Sequence, residues 1–367
     1  MVRETYASDD YALRQLMWIE DQLGVPIGHR KVVRTAPPQH VLQSLVRSSG
    51  GLAAQVRSAL GANWFTMSQH AAMSVEDRDV CAVTRAHPRM PDAIRALADP
   101  PLGMRIRGQV GLLGQEPRVA IVGSRRPRAD SASIARRIAS QLAAQGVTIV
   151  SGLAVGVDTA AHRGALDSGG STVAVLGSGL GCVYPTSNRS LAVQIVDHGG
   201  ALVSEYPHEA MARPHQFAAR NRIIAALADI VVVIQAREQS GSMITARRAE
   251  ETNADIGVVP GWIGDPEFMG SLGLIRDGAS VVTCAEDVLR MLGRAPQTTA
   301  QMHRFGTLLD APRSVEELAS LLCTSSIELF EELLELELAG LVSTTTDGRW
   351  INHGSTHSER TSPASLR

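Results

Sequence analysis

Val119-Ala-Ile-Val-Gly-Ser-Arg125 decides the fold. An apolar, mostly β-branched run stops at a glycine, and a serine and an arginine follow. Ser131-Ala-Ser-Ile134 then opens a helical stretch in which Ile134, Ile138 and Leu142 share one face, with Gly146 placed for the C-terminal cap. A buried strand that ends at Gly before a helix is a common way for an α/β sheet to build an anion site. Gly123 would admit a ligand to the backbone, the helix start would offer N–H groups, and Arg125 would add a forked cation.

The construction recurs downstream. Strand-like runs are expected at 119–122, 147–150, 172–176, 201–204, 230–234 and 256–259. Helical stretches lie between them at 133–145, 159–166, 189–196, 219–227 and 243–252. Strands that are apolar on both faces and alternate with helices imply a mostly parallel sheet covered on two sides. Ligands of such sheets bind at the carboxyl ends of the strands. A short run at 103–107 reads as an edge strand, after a boundary marked by His87-Pro88 and Pro91.

With 367 residues the chain has room for two or three domains. A net charge of −2 excludes a uniformly basic coat, so any nucleic-acid contact must come from a local patch. Aromatics make up 4%, too few for a long stacking platform. Lys31 is the only lysine, so no P-loop can be written. Cys81, Cys182, Cys284 and Cys323 form no C-x-x-C pair, so no zinc or redox motif is visible and a reducing compartment fits. The N-terminus lacks the build of a signal peptide and no apolar run approaches the roughly 20 residues that span a bilayer. A cytoplasmic protein is expected.

Residues 1–86 read as a small helical domain, with helices at 11–23, 41–47 and 52–60 and with Arg47 and Arg57 as its candidate DNA contacts. Residues 87–293 form the α/β core and 294–306 a polar linker. Residues 307–352 read as a winged helix: Ser314-Val-Glu-Glu317 is a capping box, a second helix runs to Ala339, and a hairpin turns at Asp347-Gly348. The second helix carries Glu328, Glu331, Glu332, Glu335 and Glu337, which would repel phosphates in a major groove, so it is not expected to read DNA. Leu329, Phe330, Leu333, Leu334 and Leu336 are its candidate core. The tail 353–367 is polar and expected to be disordered.

Six polar or Gly-rich turns fall along one edge of the expected sheet. They hold Gly123, Ser124 and Arg125; Ser151, Gly152, Leu153, Ala154 and Gly156; the glycines of 177–181; Ser204 and Glu205; Ser240, Gly241 and Ser242; and Pro260-Gly261. One such turn means little. Several, joined by Arg125, Arg126, Arg220 and Arg222, favour an extended anion groove. Arg220-Asn221-Arg222 is expected to open a helix. Asp158 is read as a cap and His162 as structural, and no Ser-His-Asp relay, dinucleotide fingerprint or metal set can be written.

Taken together these segments resemble the DNA-processing protein A (DprA/Smf) family. The resemblance is carried by V-A-I-V-G-S-R at 119–125, S-G-L-A-V-G-V-D-T-A-A-H at 151–162, A-V-L-G-S-G-L at 174–180 and V-Y-P-T-S-N at 183–188. It continues in S-E-Y-P at 204–207, R-N-R-I-I-A at 220–225 and S-G-S-M-I-T-A at 240–246. It implies an extended Rossmann-like core, a homodimer and no catalytic activity or cofactor. It further implies a binder of single-stranded DNA in natural transformation that protects incoming strands and loads the RecA recombinase onto them. The family's strand pocket would fall on Gly123, Ser124, Arg125, the turn from Ser151 to Asp158, and Arg220, Asn221 and Arg222, with Ser240, Gly241 and Ser242 as further phosphate contacts. Three departures stand out: Val155 where many members are basic, Leu272 where G-x-N-x-L-I has Asn, and an N-terminal region that does not match the family's helix-hairpin-helix-like module.

The main rival is a nucleoside-5'-monophosphate phosphoribohydrolase of the lysine-decarboxylase-like (LOG) family, which uses P-G-G-x-G-T-x-x-E. Here Arg248 stands where that motif has its Glu, and Glu250 or Glu251 would serve only on a shifted helix. A third reading is a protein adaptor with a vestigial groove.

Overall fold

The computed structural model describes residues 2–23, 37–47, 51–60, 66–68, 80–294, 305–322, 324–338, 342–345 and 347–352. The chain divides into two compact units, residues 1–292 and 293–367.

The first unit opens with helices α1 (Val2–Leu23), α2 (Pro38–Arg47) and α3 (Gly51–Leu60). They pack through Leu13, Leu16, Val41, Leu45 and Val56. Arg57, a candidate DNA contact, donates instead to the Leu45 carbonyl at 3.1 Å and ties α3 to α2. Strand β1 (Cys81–Thr84), a short helix α4 (Asp92–Arg95) and β2 (Gly103–Gly108) follow. The alternating part then runs β3 (Arg118–Val122), α5 (Ala129–Ala144), β4 (Thr148–Ser151), α6 (Val157–Asp167), β5 (Thr172–Leu176), α7 (Arg189–Asp197) and β6 (Ala201–Ser204). It continues through α8 (Pro214–Leu227), β7 (Ile230–Val233), α9 (Gly241–Glu251), β8 (Asp255–Val258), α10 (Met269–Arg276), β9 (Ser280–Val281) and α11 (Ala285–Met291).

All nine strands form one sheet in the order β1-β2-β6-β5-β4-β3-β7-β8-β9. β1 and β2 are antiparallel additions beside β6, and the other pairs are parallel. The run at 103–107 is therefore not an edge strand. β1 lies outside it, and the sheet begins before residue 87, where the proline signal put the boundary. Thr84 is wholly buried and pairs with Gly103, so the prolines follow the strand instead of preceding the domain.

The period-2 pattern of β3 assigns the two layers. Ala120 and Val122 join the core under α8 and α9, with Ile223, Ile224, Ala246 and Ala249. Val119 and Ile121 join the core under α5, α6 and α11, with Ile138, Leu142, Ala161 and Val288. Leu142 is wholly buried, so its truncation to Ala costs about 2–5 kcal/mol. Gly146 takes φ +75° beyond α5, the left-handed conformation that glycine suits. Arg105 of β2 fastens α1 to the sheet. It donates to the Met17 carbonyl and Asp21 at 2.9 Å, to Glu20 at 3.3 Å and to the Glu205 carbonyl at 3.0 Å.

The second unit contains α12 (Val315–Leu322), α13 (Ser326–Leu338), β10 (Val342–Thr344) and β11 (Trp350–Asn352). These follow the expected order of two helices and a hairpin. Ser314 and Glu317 cap α12 reciprocally, each backbone N–H reaching the other's side chain at 3.2 Å. Leu329, Leu333 and Leu336 are wholly buried with Leu318 and Trp350. Phe330 and Leu334 are not core: they are 48% and 42% exposed. Most of the linker, Cys323 and the tail 353–367 lie outside the described residues.

Candidate functional site

The carboxyl ends of β3, β4 and β7, with α8, open on a pocket of about 420 Å³. Its walls bring together Gly123, Ser124, Arg125, Ala154, Asp158, Arg220, Asn221, Ser240, Gly241 and Ser242 from four separate segments. A larger hollow of about 990 Å³ lies between α7 and β2. Its walls include Arg107, Arg189 and Asp197 but none of the Gly- and Ser-rich turns after β3, β4 and β7, which converge on the smaller pocket and make it the candidate site.

The walls are fixed by a dense set of internal bonds. Asp158 accepts from the backbone N–H of Gly152 at 3.1 Å and of Ala154 at 3.3 Å. Thr159 donates to the Ala154 carbonyl at 2.7 Å, and Asn188 donates to the Leu153 carbonyl at 2.9 Å. Leu153, at φ +59°, turns its side chain wholly inward, where it packs with Leu180 and Leu191. Ser151 donates to the Ile121 carbonyl at 2.7 Å and is fully buried. Gly156 sits at φ +87°, and a Cβ there would meet the Ser124 carbonyl at 2.4 Å. Only glycine lets the two turns touch.

These bonds revise several expectations. The Gly152 and Ala154 N–H groups are taken by Asp158 and are not offered to a ligand. The missing Cβ of Gly123 makes room for Val157, whose side chain would lie 2.8 Å from it. The helix after β3 begins at Ala129, past a turn of several residues, so it is not the helix start that faces the pocket. That role falls to α9. Its cap residue Ser240 makes no side-chain cap bond, and Ser240 and Ser242 hydroxyls meet at 2.7 Å across the first turn. Gly241 and Ser242 thus begin an uncapped helix in the pocket wall, where N–H groups and the helix dipole favour an anion. Asn221 holds that start in place by donating to the Gly241 carbonyl at 3.0 Å.

The Arg220-Asn-Arg222 motif lies in the middle of α8, which starts at Pro214, and does not open a helix. Arg220 donates to the carbonyls of Gly152, at 2.6 Å, and Val175. Burial pulls its pKa down to about 10, against the field of Asp158, so it stays charged at neutral pH. Burial pushes the Asp158 carboxyl up, opposed first by the field of Arg220. Arg222 leaves the site altogether. Its guanidinium forks onto Glu205 at 2.6 and 2.9 Å and its Nε contacts Asp99 at 3.2 Å, with 2% of the side chain exposed. The expectation that Arg222 faces a strand is corrected: it is a buried ion-paired strut.

Arg125, Arg126 and Arg128 are exposed cations of the turn after β3, and Arg128 is paired with Asp265. The Arg125 guanidinium lies over the Phe217 ring, 5.2 Å from its centre. Tyr184 packs at a tilt on Phe217, with ring centres 5.6 Å apart and half its surface exposed. Phe217 and Arg237, both in the pocket wall, escaped the sequence reading, as did Tyr184. Phe217 lies one helical turn before Arg220, and Arg237 just before Ser240, so proximity to the motifs was the available signal.

His162 is structural. Thr172 donates to the Ile149 carbonyl at 2.8 Å, so its oxygen accepts the Nδ1–H of His162 at 2.7 Å. Burial pulls the His162 pKa down to about 3, and the ring is neutral.

With this geometry in hand, the family comparison is specific. The model of the family DNA recombination-mediator protein A matches residues 81–293. The chain belongs to that family. The matched segment begins at the first residue of β1 and closes after α11, so family membership and the nine-stranded sheet coincide. Protein Smf of Escherichia coli K12 is 35% identical over 276 residues, covering 70% of this chain and 74% of that protein. DNA processing protein DprA of Streptococcus pneumoniae R6 is 42% identical over 192 residues, 52% of this chain and 67% of that one. Among solved structures, DNA processing protein A of Streptococcus pneumoniae aligns with a TM-score of 0.56 at 30% identity, over 78% of this chain and 97% of that chain. That of Helicobacter pylori, studied for its single-stranded DNA binding mode, aligns with a TM-score of 0.53 at 33% identity, over 58% and 95%. Among the described residues no helix is long and apolar enough to cross a membrane. As a family member, the chain is a DNA-processing protein.

Proposed function

We propose that the pocket at the carboxyl edge binds the backbone of single-stranded DNA. The observation that carries this reading is the convergence of Arg125, Arg237, the Ser240 and Ser242 hydroxyls and the uncapped start of α9 on one pre-organised pocket. Such donors suit phosphate oxygens. Tyr184, half exposed beside the Phe217 ring that Arg125 covers, offers a ring to a base, as only an unpaired strand can supply. The Helicobacter pylori relative's single-stranded DNA binding mode supports the same substrate.

The reading extends to the family's role in recombination. We infer a cytoplasmic homodimer that protects incoming strands in natural transformation and hands them to RecA. The C-terminal unit is read as a winged helix that contacts protein and does not read DNA, since Glu331, Glu332 and Glu337 lie along α13. Binding without turnover fits the pocket's chemistry better than hydrolysis. Asp158 is the one carboxylate in its lining, and its Oδ2 accepts two N–H groups of the loop it holds. Glu250 lines a separate hollow beside Asp255 and Asp277, and Glu251 pairs with Arg248 at 2.6 Å. The LOG-type glutamate is thus not in the lining.

A mobility shift with matched single- and double-stranded DNA over a salt series tests this. The expected result is preference for the single strand, with a log–log slope of about −0.7 per phosphate neutralised. Equal affinity for both forms, or base release from AMP, would overturn it.

A further inference from the structure

The pocket mouth has aromatic side chains on both flanks. On the β5 side stand Tyr184 and Phe217. On the β8 side the turn after Val258 carries Trp262 and Ile263, which are 72% and 93% exposed. Isolated exposed apolar residues are ordinary. This pair is different because the turn that carries it is pinned to the cationic rim. Asp265 pairs with Arg128 at 3.3 Å, and Glu267 pairs with Arg237, itself a pocket-wall residue. The Asp265 N–H donates to the Trp262 carbonyl at 3.2 Å, and buried Phe268 packs so closely on Gly261 that a Cβ there would lie 2.0 Å from its ring. Both carboxylates of the turn are matched by guanidinium groups, so neither meets a phosphate as an uncompensated charge.

We propose that Trp262 is a second base-stacking platform, which extends the single strand's track across the pocket mouth to the carboxyl end of β8. The proposal rests on the reading of the pocket as a single-strand site. From the turn after β5 to the turn after β8 the sheet crosses β4, β3 and β7, a span of roughly 19 Å at about 4.8 Å per strand spacing. That is room for a few nucleotides, with phosphates on Arg125 and Arg237 and a base at each end. An indole face accepts any base, so the extension adds affinity without adding sequence preference. A ring held on a pinned turn loses little freedom when a base stacks on it.

The test measures affinity and tryptophan emission of the full chain with oligothymidylates of graded length, for the wild type, Trp262→Phe and Trp262→Ala. Longer oligomers should quench the wild-type emission, and Trp262→Phe should remove that quenching while keeping most of the affinity. Trp262→Ala should bind the longer oligomers about 10-fold more weakly and the shortest ones unchanged. Equal affinity of all three chains for every length, with wild-type binding intact, overturns the platform and leaves the pocket standing. The same holds if Trp262→Ala changes only the sedimentation of the protein, which makes the patch a contact between copies. A wild type that binds no single strand overturns both readings.

Discussion

Arg125 and Arg222 both stand in motifs expected to line the groove, and the fold gives them opposite work. Arg125 stands at the mouth of the pocket, exposed, with one face on Phe217 and its N–H edges turned to solvent. Arg222 lies behind the wall, 2% exposed, fully engaged by Glu205 and Asp99. The mouth holds a cation ready for a ligand. The strut spends its cation on the shape of α8 and the turn after β6. A run of arginines near a strand end therefore says little about which of them binds, until burial and acidic partners are known.

The comparison can be broken at its ends. The largest effect is expected for Arg222→Ala, which strands Glu205 in a buried position and should destabilise the first unit by about 3–5 kcal/mol in chemical unfolding. Adding Glu205→Gln should recover part of that loss. A variant as stable as the wild type would mean that the buried pair is not a strut.

Next comes acid. The folded pKa of His162, about 3, lies below its ordinary value of 6.5. The unfolded chain therefore binds the proton first as pH falls. This group's stabilisation is complete above pH 6.5 and drains away toward pH 3, by about 2 kcal/mol at pH 5. Unfolding curves at stepped pH measure it, and His162→Gln should flatten the profile in that window.

Arg125→Ala should leave stability unchanged and weaken oligothymidylate binding by about 10- to 100-fold, as expected for loss of a charge-assisted contact. Normal binding by a destabilised Arg125→Ala chain would reverse the roles of mouth and strut. The smallest effect is expected for Arg126→Ala. Its side chain is exposed and outside the pocket lining, so a loss of about 2-fold that disappears at high salt is expected.

The parallel sheet was legible because its strands are apolar on both faces and its turns carry Gly and Ser at each carboxyl end. β3, β5 and β6 lie where the pattern put them, while β1 was missed because Cys81–Thr84 is short and pairs with β2, a partner that local pattern does not reveal. The site was legible as a set of segments. What periodicity could not give is direction: that Leu153 and Ser151 point inward, that Asp158 consumes the loop's own N–H groups, and that Arg222 finds Glu205. The Asp158 outcome depends on a loop shape that periodicity does not encode, and the Ser151 and Arg222 outcomes on partners far along the chain, Ile121 and Glu205. Phe217, Arg237 and Tyr184 join the mouth for the same reason.

The most direct measurement is the salt dependence of oligothymidylate affinity for the wild type and Arg125→Ala, with Arg222→Met/Glu205→Gln as a folded control that keeps the mouth. The log–log slope should become shallower by about 0.7 in Arg125→Ala, one phosphate's worth of counterion release, and stay at the wild-type value in the control. Parallel lines for wild type and Arg125→Ala would contradict the claim that a strand's phosphates lie on this rim.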